Sequence, residues 1–164
     1  MFVLGIDPGL TITGFGLVDA SGPSMVTVGV VRTDRDAPLG ERLRELYRDL
    51  TGIVDEFSPS AVAIERVFVN KNLQTAMAVA RASGVAILVA AQAGLEVAEI
   101  TPTQVKSAVC GNGAADKEQV QKMVAHRLNL KGIPQPADAA DALAVALSYI
   151  QTSRYRVATG GLTA

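Results

Sequence analysis

Cysteine occurs once in the 164 residues, at Cys110, so no internal disulfide can staple this fold. Histidine also occurs once, at His126 within Met123-Val124-Ala125-His126-Arg127, and no Cys/His cluster has zinc spacing. That single imidazole reads as a surface or packing residue of a helix rather than a general base. Tryptophan is absent and aromatics make up 4%, so Ala, Val, Leu and Ile must fill the core. The longest apolar stretch, Ala82–Ala91, is interrupted by Ser83 and Gly84 and follows Arg81. It is too short to span a bilayer and reads as a buried or interfacial helix. The opening Met1-Phe2-Val3-Leu4-Gly5-Ile6-Asp7 lacks the basic region and long apolar core of a secretory leader. The chain is therefore expected to be soluble and cytoplasmic. No Gly-x-Ser-x-Gly elbow is present, which leaves acyl chemistry with little support.

A strong charge of either sign is missing too. Fifteen Lys and Arg face sixteen Asp and Glu, a net charge of −1, where a phosphate-binding surface is usually basic. The objection weakens if several of the acids coordinate metal. Two divalent cations would make the balance positive and leave the lysines and arginines free to face phosphates. Hydrophobic residues at 49% and charged residues at 19% describe a globular chain long enough for one domain with its own core.

What is present alternates strands and helices. Phe2–Ile6 is a short apolar run that stops at Asp7-Pro8-Gly9, a strong turn signal. Thr13–Val18, weakened by glycines, and the Val-rich Met25–Arg32 complete an antiparallel meander. From Pro38 the period changes: Leu39, Leu43, Leu46, Leu50 and Ile53/Val54 predict an amphipathic helix to about Phe57. A buried strand over Ala61–Glu65, a long Ala-rich helix over about Asn72–Gln92 and a strand over Leu95–Ile100 follow. Thr101-Pro102 supplies an N-cap with proline at the first helical position, opening a helix to about Val109. Lys117–Leu128 and Ala137–Ile150 are the last two helices predicted. The pattern implies one α/β domain over residues 1–152, with a five-stranded mixed sheet flanked by helices, and a loose tail over 153–164.

Four carboxylates fall where such a fold can gather them. Asp7 ends the first strand, Glu65 ends the fourth, and Asp138 and Asp141 share one face at the start of the last helix. Strand ends at one edge of an open sheet form the crevice where ligands bind. Taken singly, Asp7 before Pro-Gly reads as a turn residue, and Asp138 and Asp141 as cap and dipole partners. Glu65 resists that treatment, because an unpaired charge at the rim of a buried strand is costly. Taken together, four clustered carboxylates are tolerable mainly when cations neutralise them. Oxygen-only ligands suit Mg²⁺ or Mn²⁺. Two such ions roughly 4 Å apart can activate water on one side of a phosphodiester and stabilise the leaving 3′ oxygen on the other.

Several blocks, in order, resemble the RuvC family of Holliday junction resolvases. They are Gly5-Ile6-Asp7-Pro8-Gly9 with Thr13-Gly14; Ala63-Ile64-Glu65-Arg66-Val67-Phe68 with Lys71-Asn72; Gln104-Val105-Lys106; Gly111-Asn112-Gly113-Ala114-Ala115-Asp116-Lys117; and Ala137-Asp138-Ala139-Ala140-Asp141-Ala142-Leu143-Ala144. The similarity spans residues 2 to about 150. It implies an RNase H-like fold and a homodimer that cuts two opposing strands of a four-way DNA junction in recombination and repair. It implies Mg²⁺ or Mn²⁺, two ions per active site, on Asp7, Glu65, Asp138 and Asp141, with Lys106 and Lys117 contacting DNA or offsetting charge at the scissile phosphate. Phe68 resembles a wedge or stacking platform for a base at the opened junction, although by itself it reads equally as a core residue. Arg66, Lys71 and Asn72 are the further DNA contacts the resemblance implies, and the RuvAB branch-migration complex the further partner.

A two-fold dimer would hold two active sites at fixed separation, as paired nicks require. The apolar helix around Met77, Val79, Val85, Ile87 and Leu88 offers either the dimer surface or ordinary core. Asp7–Gly14 also fits the Asp-x-Gly-x-x-x-Thr-Gly phosphate loop of actin-like and sugar-kinase ATPases. Those proteins need two such domains and an adenosine site, for which this length leaves no room. A catalytically idle junction binder would gain from losing acids near phosphate, and a plain ribonuclease H would not be expected to carry the lysine and Phe68 blocks.

Overall fold

Short apolar runs bounded by turn residues make the first three elements strands, and two tight turns fold them into a meander. In the computed structural model, which describes residues 1–66 and 72–158, these are β1 (Phe2–Asp7), β2 (Ile12–Asp19) and β3 (Ser24–Arg32). β2 pairs antiparallel with both neighbours. Helix α1 (Leu39–Phe57) buries Leu46, Leu50 and Val54 and stops at Ser58, which adopts the left-handed conformation. The chain then crosses to β4 (Ala61–Glu65), parallel to β1 on the side away from β2. Helix α2 (Leu73–Gln92) leads to β5 (Glu96–Ile100), parallel to β4. The sheet order is β3-β2-β1-β4-β5, the mixed sheet the sequence predicts. Helices α3 (Pro102–Cys110), α4 (Lys117–Arg127) and α5 (Ala137–Ala158) follow.

Strand alternation sorts the core into two layers. Leu4, Ile6, Leu17, Val62 and Ile64 face α1 and α2, whereas Val3, Val18, Ala61 and Ala63 face α5 with α3 and α4 behind it. Each fully buried Leu or Val contributes about 1.5–3 kcal/mol relative to exposure. The same alternation carries Asp7 and Glu65 onto the α5 face, because each follows its inward neighbours by two residues.

Two expectations need correction. The sequence predicts a last helix ending near Ile150 and a loose tail from residue 153; α5 instead runs to Ala158. Polarity is a poor stop signal there, because the helix has partners: the Arg154 guanidinium donates to the Ala20 carbonyl, and the Thr152 hydroxyl donates to the Ser148 carbonyl at 2.9 Å. The apolar Ala82–Ala91 stretch is also only part of α2, whose 20 residues are long and apolar enough by length and composition to cross a membrane. The helix lies against α1 and the sheet and buries Ala76, Ala82, Ser83, Ala86, Val89 and Ala90. Of the residues expected to be either interface or core, Val85 and Ile87 pack into the core, Val79 is half-buried, and Met77 and Leu88 stay exposed alongside Leu73.

Candidate active site

β1 and β4 are neighbouring parallel strands with Ile6 level with Ile64, so the next residue of each, Asp7 and Glu65, sit side by side at the carboxyl edge. Adjacent strands lie about 4.8 Å apart. Pairing continues one step past Glu65, where the Arg66 amide donates to the Ile100 carbonyl at 2.8 Å. The turn after Asp7 is knitted by Thr13, whose buried hydroxyl donates to the Gly9 carbonyl at 2.7 Å. Across the hairpin, Asp7 is paired with Gly14. Helix α5 lies over this spot so closely that a Cβ built on Gly14 would come 2.0 Å from the Asp138 carbonyl oxygen. One added at Gly5 would come 2.1 Å from that of Ala142. With no side chain between sheet and helix, the first turn of α5 brings Asp138 and Asp141 to the edge that carries Asp7 and Glu65.

The four acids feel one another. Burial, then the charges of Glu65, Asp141 and Asp138, push the Asp7 carboxyl up from 3.8 to about 8, only partly opposed by Lys117. Glu65 is raised as well, first by burial and then by Asp141, while a side-chain hydrogen bond with Asp7 works the other way. Burial and the neighbouring carboxylates thus favour the protonated form of Asp7. Lys117 Nζ lies 2.7 Å from Asp141 Oδ2, and that hydrogen bond pushes the ammonium's own pKa up. Among the described residues, no three acids already stand in a coordinating cluster. Lys117 holds one of the oxygens that an ion would need. The all-oxygen donor set fits a hard divalent ion.

The lysines arrive on capped helices. Thr101 accepts from the Gln104 amide at 3.2 Å and Gln104 Oε1 from the Thr101 amide at 2.8 Å, a capping box that starts α3 four residues before Lys106. Asp116 and Gln119 form the same box at α4, placing Lys117 at its first residue. Arg127 ties α4 to α3 through the Ala108 carbonyl at 2.9 Å. Lys106 and Lys117 line a cavity of about 270 Å³ with Glu65 and Asp141 above a floor of Val105, Val120 and Ala144. Arg66 is exposed one residue beyond Glu65, and Asn72 caps α2 by accepting from the Thr75 amide at 3.2 Å. Phe68 and Lys71 lie outside the described residues. His126 is exposed, as expected for a surface residue.

The proton on Asp7 has a measurable consequence. A carboxyl raised by folding binds a proton in the native state that the unfolded chain has released, so stability falls as pH rises between the two values. The metal-free protein is expected to lose thermal stability from about pH 4 to about pH 8, the interval bounded by 3.8 and about 8 for Asp7. Affinity for a divalent ion should climb over the same interval, because the ion displaces the proton. Melting curves in EDTA and in Mg²⁺ across pH 4–9 would show opposite slopes; parallel curves would contradict the linkage.

A mixed sheet of this order with acids at the carboxyl edge and a helix bearing two more across it is the architecture of an RNase H-like nuclease. The family model described as crossover junction endodeoxyribonuclease RuvC matches residues 3–149, and the chain belongs to that family. A crossover junction endodeoxyribonuclease RuvC from Natranaerobius thermophilus is 48% identical over 158 residues, covering 95% of this chain and 98% of that one. One from Streptomyces griseus is 54% identical over 153 residues, covering 92% and 75%. Among solved structures, Thermus thermophilus RuvC in complex with a Holliday junction substrate superposes with TM-score 0.87 at 35% identity, covering 94% and 96% of the two chains. The yeast mitochondrial Holliday junction resolvase, with TM-score 0.64 at 14% identity over 98% and 86%, shares the fold.

Proposed function

We propose that this chain resolves four-way DNA junctions by paired, symmetric nicks, with Asp7, Glu65, Asp138 and Asp141 holding two divalent ions, Mg²⁺ or Mn²⁺. The observation that carries the reading is the convergence of Asp7 and Glu65 on adjacent strand ends beneath the helix that bears Asp138 and Asp141, whose backbone lies directly against Gly5 and Gly14; the raised Asp7 carboxyl agrees with it. Carboxyls from two strands and one helix that raise one another's pKa form a site built to exchange a proton for a cation. When bound, the ions supply activation of water and neutralisation of charge on the scissile phosphate.

The chain's own residues do the rest. Glu65 and Asp7 hold their oxygens side by side on rigid strand ends, and Asp138 and Asp141 close the site from α5. Lys117, now 2.7 Å from Asp141, would offset the charge that develops on the phosphate, and Lys106 lines the same cavity from α3. In-line attack by water leaves 5′-phosphate and 3′-hydroxyl ends, which a ligase can seal. Arg66, Lys71, Asn72 and Phe68 are the further DNA contacts of this reading, with Phe68 as the stacking platform at the opened junction.

A junction is resolved without gaps only when two strands are cut at matched positions, so the working unit is a homodimer. The exposed Leu73, Met77 and Leu88 on α2 provide the apolar surface for it. The setting is the cytoplasm, where the RuvAB branch-migration complex would deliver the substrate for recombination and repair. A synthetic four-way junction, a linear duplex and an RNA–DNA hybrid are each incubated with Mg²⁺, Mn²⁺ or EDTA. Cutting of the junction in paired fragments, absent in EDTA, is expected. Preference for the hybrid, or activity in EDTA, would overturn the reading.

A further inference from the structure

We propose that Gly14 is a positioning residue for metal binding: its missing side chain sets how far the Asp138 carboxylate stands from Asp7. The inference rests on the assignment of the four acids made above and adds a residue that none of the acid chemistry requires. Gly14 is the hairpin partner of Asp7, so its Cα is fixed by the same ladder that fixes that acid. A Cβ there would lie 2.0 Å from the Asp138 carbonyl oxygen, 2.5 Å from its carbonyl carbon and 3.2 Å from the Ala139 nitrogen. All three are backbone atoms, which cannot swing aside as a side-chain tip can. The Ala139 and Ala140 side chains that follow are completely buried, so the turn cannot rotate in place to relieve the clash. The remaining response is for the first turn of α5 to lift off the sheet, taking Asp138 with it.

At Gly16 the contact has a different character. There an added Cβ would first meet the Leu143 side chain at 2.7 Å, a group that can repack, with backbone (the Leu143 nitrogen) no nearer than 3.0 Å, and Leu143 lies beyond both acids on α5. Gly14 therefore joins packing to metal geometry, whereas Gly16 serves packing.

Calorimetric titration of the DNA-free protein with Mn²⁺, together with its melting temperature, separates the two roles. Gly14→Ala is expected to weaken Mn²⁺ binding by about ten- to a hundred-fold, the range seen when the support of a ligand is disturbed. Junction binding in EDTA should persist. Leu147→Ala, which opens a cavity under the same helix away from the acids, should lower the melting temperature and leave Mn²⁺ affinity unchanged. Wild-type affinity in Gly14→Ala, or an equal loss in Leu147→Ala, would overturn the inference. Should Gly14→Ala fail to fold, Asp138→Glu decides. With the backbone of residue 138 pinned on Gly14, the extra methylene misplaces the carboxylate and Mn²⁺ binding should weaken by about ten-fold. Unchanged affinity would show that the helix adjusts freely and overturn the inference. Asp7→Asn serves as the control for the site itself. If it binds Mn²⁺ like the wild type, the assignment of the acids fails, whatever the glycine does.

Discussion

Asp7→Asn is expected to lower junction cleavage by roughly a thousand-fold or more, equivalent to about 4 kcal/mol of transition-state stabilisation, while junction binding persists. Asparagine keeps the size and one oxygen of aspartate but cannot carry the negative charge that holds a hard cation. Binding should survive because the lysines and arginines proposed to meet phosphates are untouched. The variant should also make the metal-free protein less sensitive to pH, since the carboxyl raised to about 8 is gone. Glu65→Gln should behave alike in cleavage. Rates on a synthetic junction, read beside gel-shift affinities in EDTA, check both. A variant that cuts at the wild-type rate would remove that acid from the site.

Lys117→Met is expected to slow cleavage by about a hundred-fold, the lower end of what one electrostatic donor to a developing charge supplies. Its effect on metal binding should have the opposite sign. In the metal-free protein the Lys117 ammonium sits 2.7 Å from Asp141 Oδ2 and competes with an ion for that oxygen. Its side chain is 63% exposed, so as an ion pair it contributes at most about 1 kcal/mol and can be displaced. Removing it should raise Mn²⁺ affinity in the absence of DNA while the rate falls. A parallel loss of affinity and rate would instead make Lys117 a support of the acid cluster.

The strand ends that carry Asp7 and Glu65 were legible in the sequence for a common reason. Short apolar runs closed by Asp7-Pro8-Gly9 and by Glu65 announce both the strand and its last residue, and a strand's last residue is where a sheet presents chemistry. The N-cap at Thr101 was equally plain, because Thr-Pro is a local signal that needs no tertiary context. What stayed hidden depends on contacts between distant segments. Gly14 and Gly16 looked like weaknesses in β2. Their spacing of two, which puts both on one face, was the available sign that a helix backbone lies against them. The extension of α5 to Ala158 depends on Arg154 reaching Ala20, a pairing across 134 residues that no local pattern encodes. The split of α2 between core residues and exposed Leu73, Met77 and Leu88 was similarly invisible, because its Ala, Val and Leu are apolar on every side.

The most direct test is a Mn²⁺-soaked crystal of the wild-type protein read by anomalous scattering. Two peaks within bonding distance of carboxyl oxygens from Asp7, Glu65, Asp138 and Asp141, with Lys117 withdrawn from Asp141, are predicted. Peaks elsewhere on the chain, or an undisturbed Lys117–Asp141 pair with no density among the acids at saturating Mn²⁺, would contradict it.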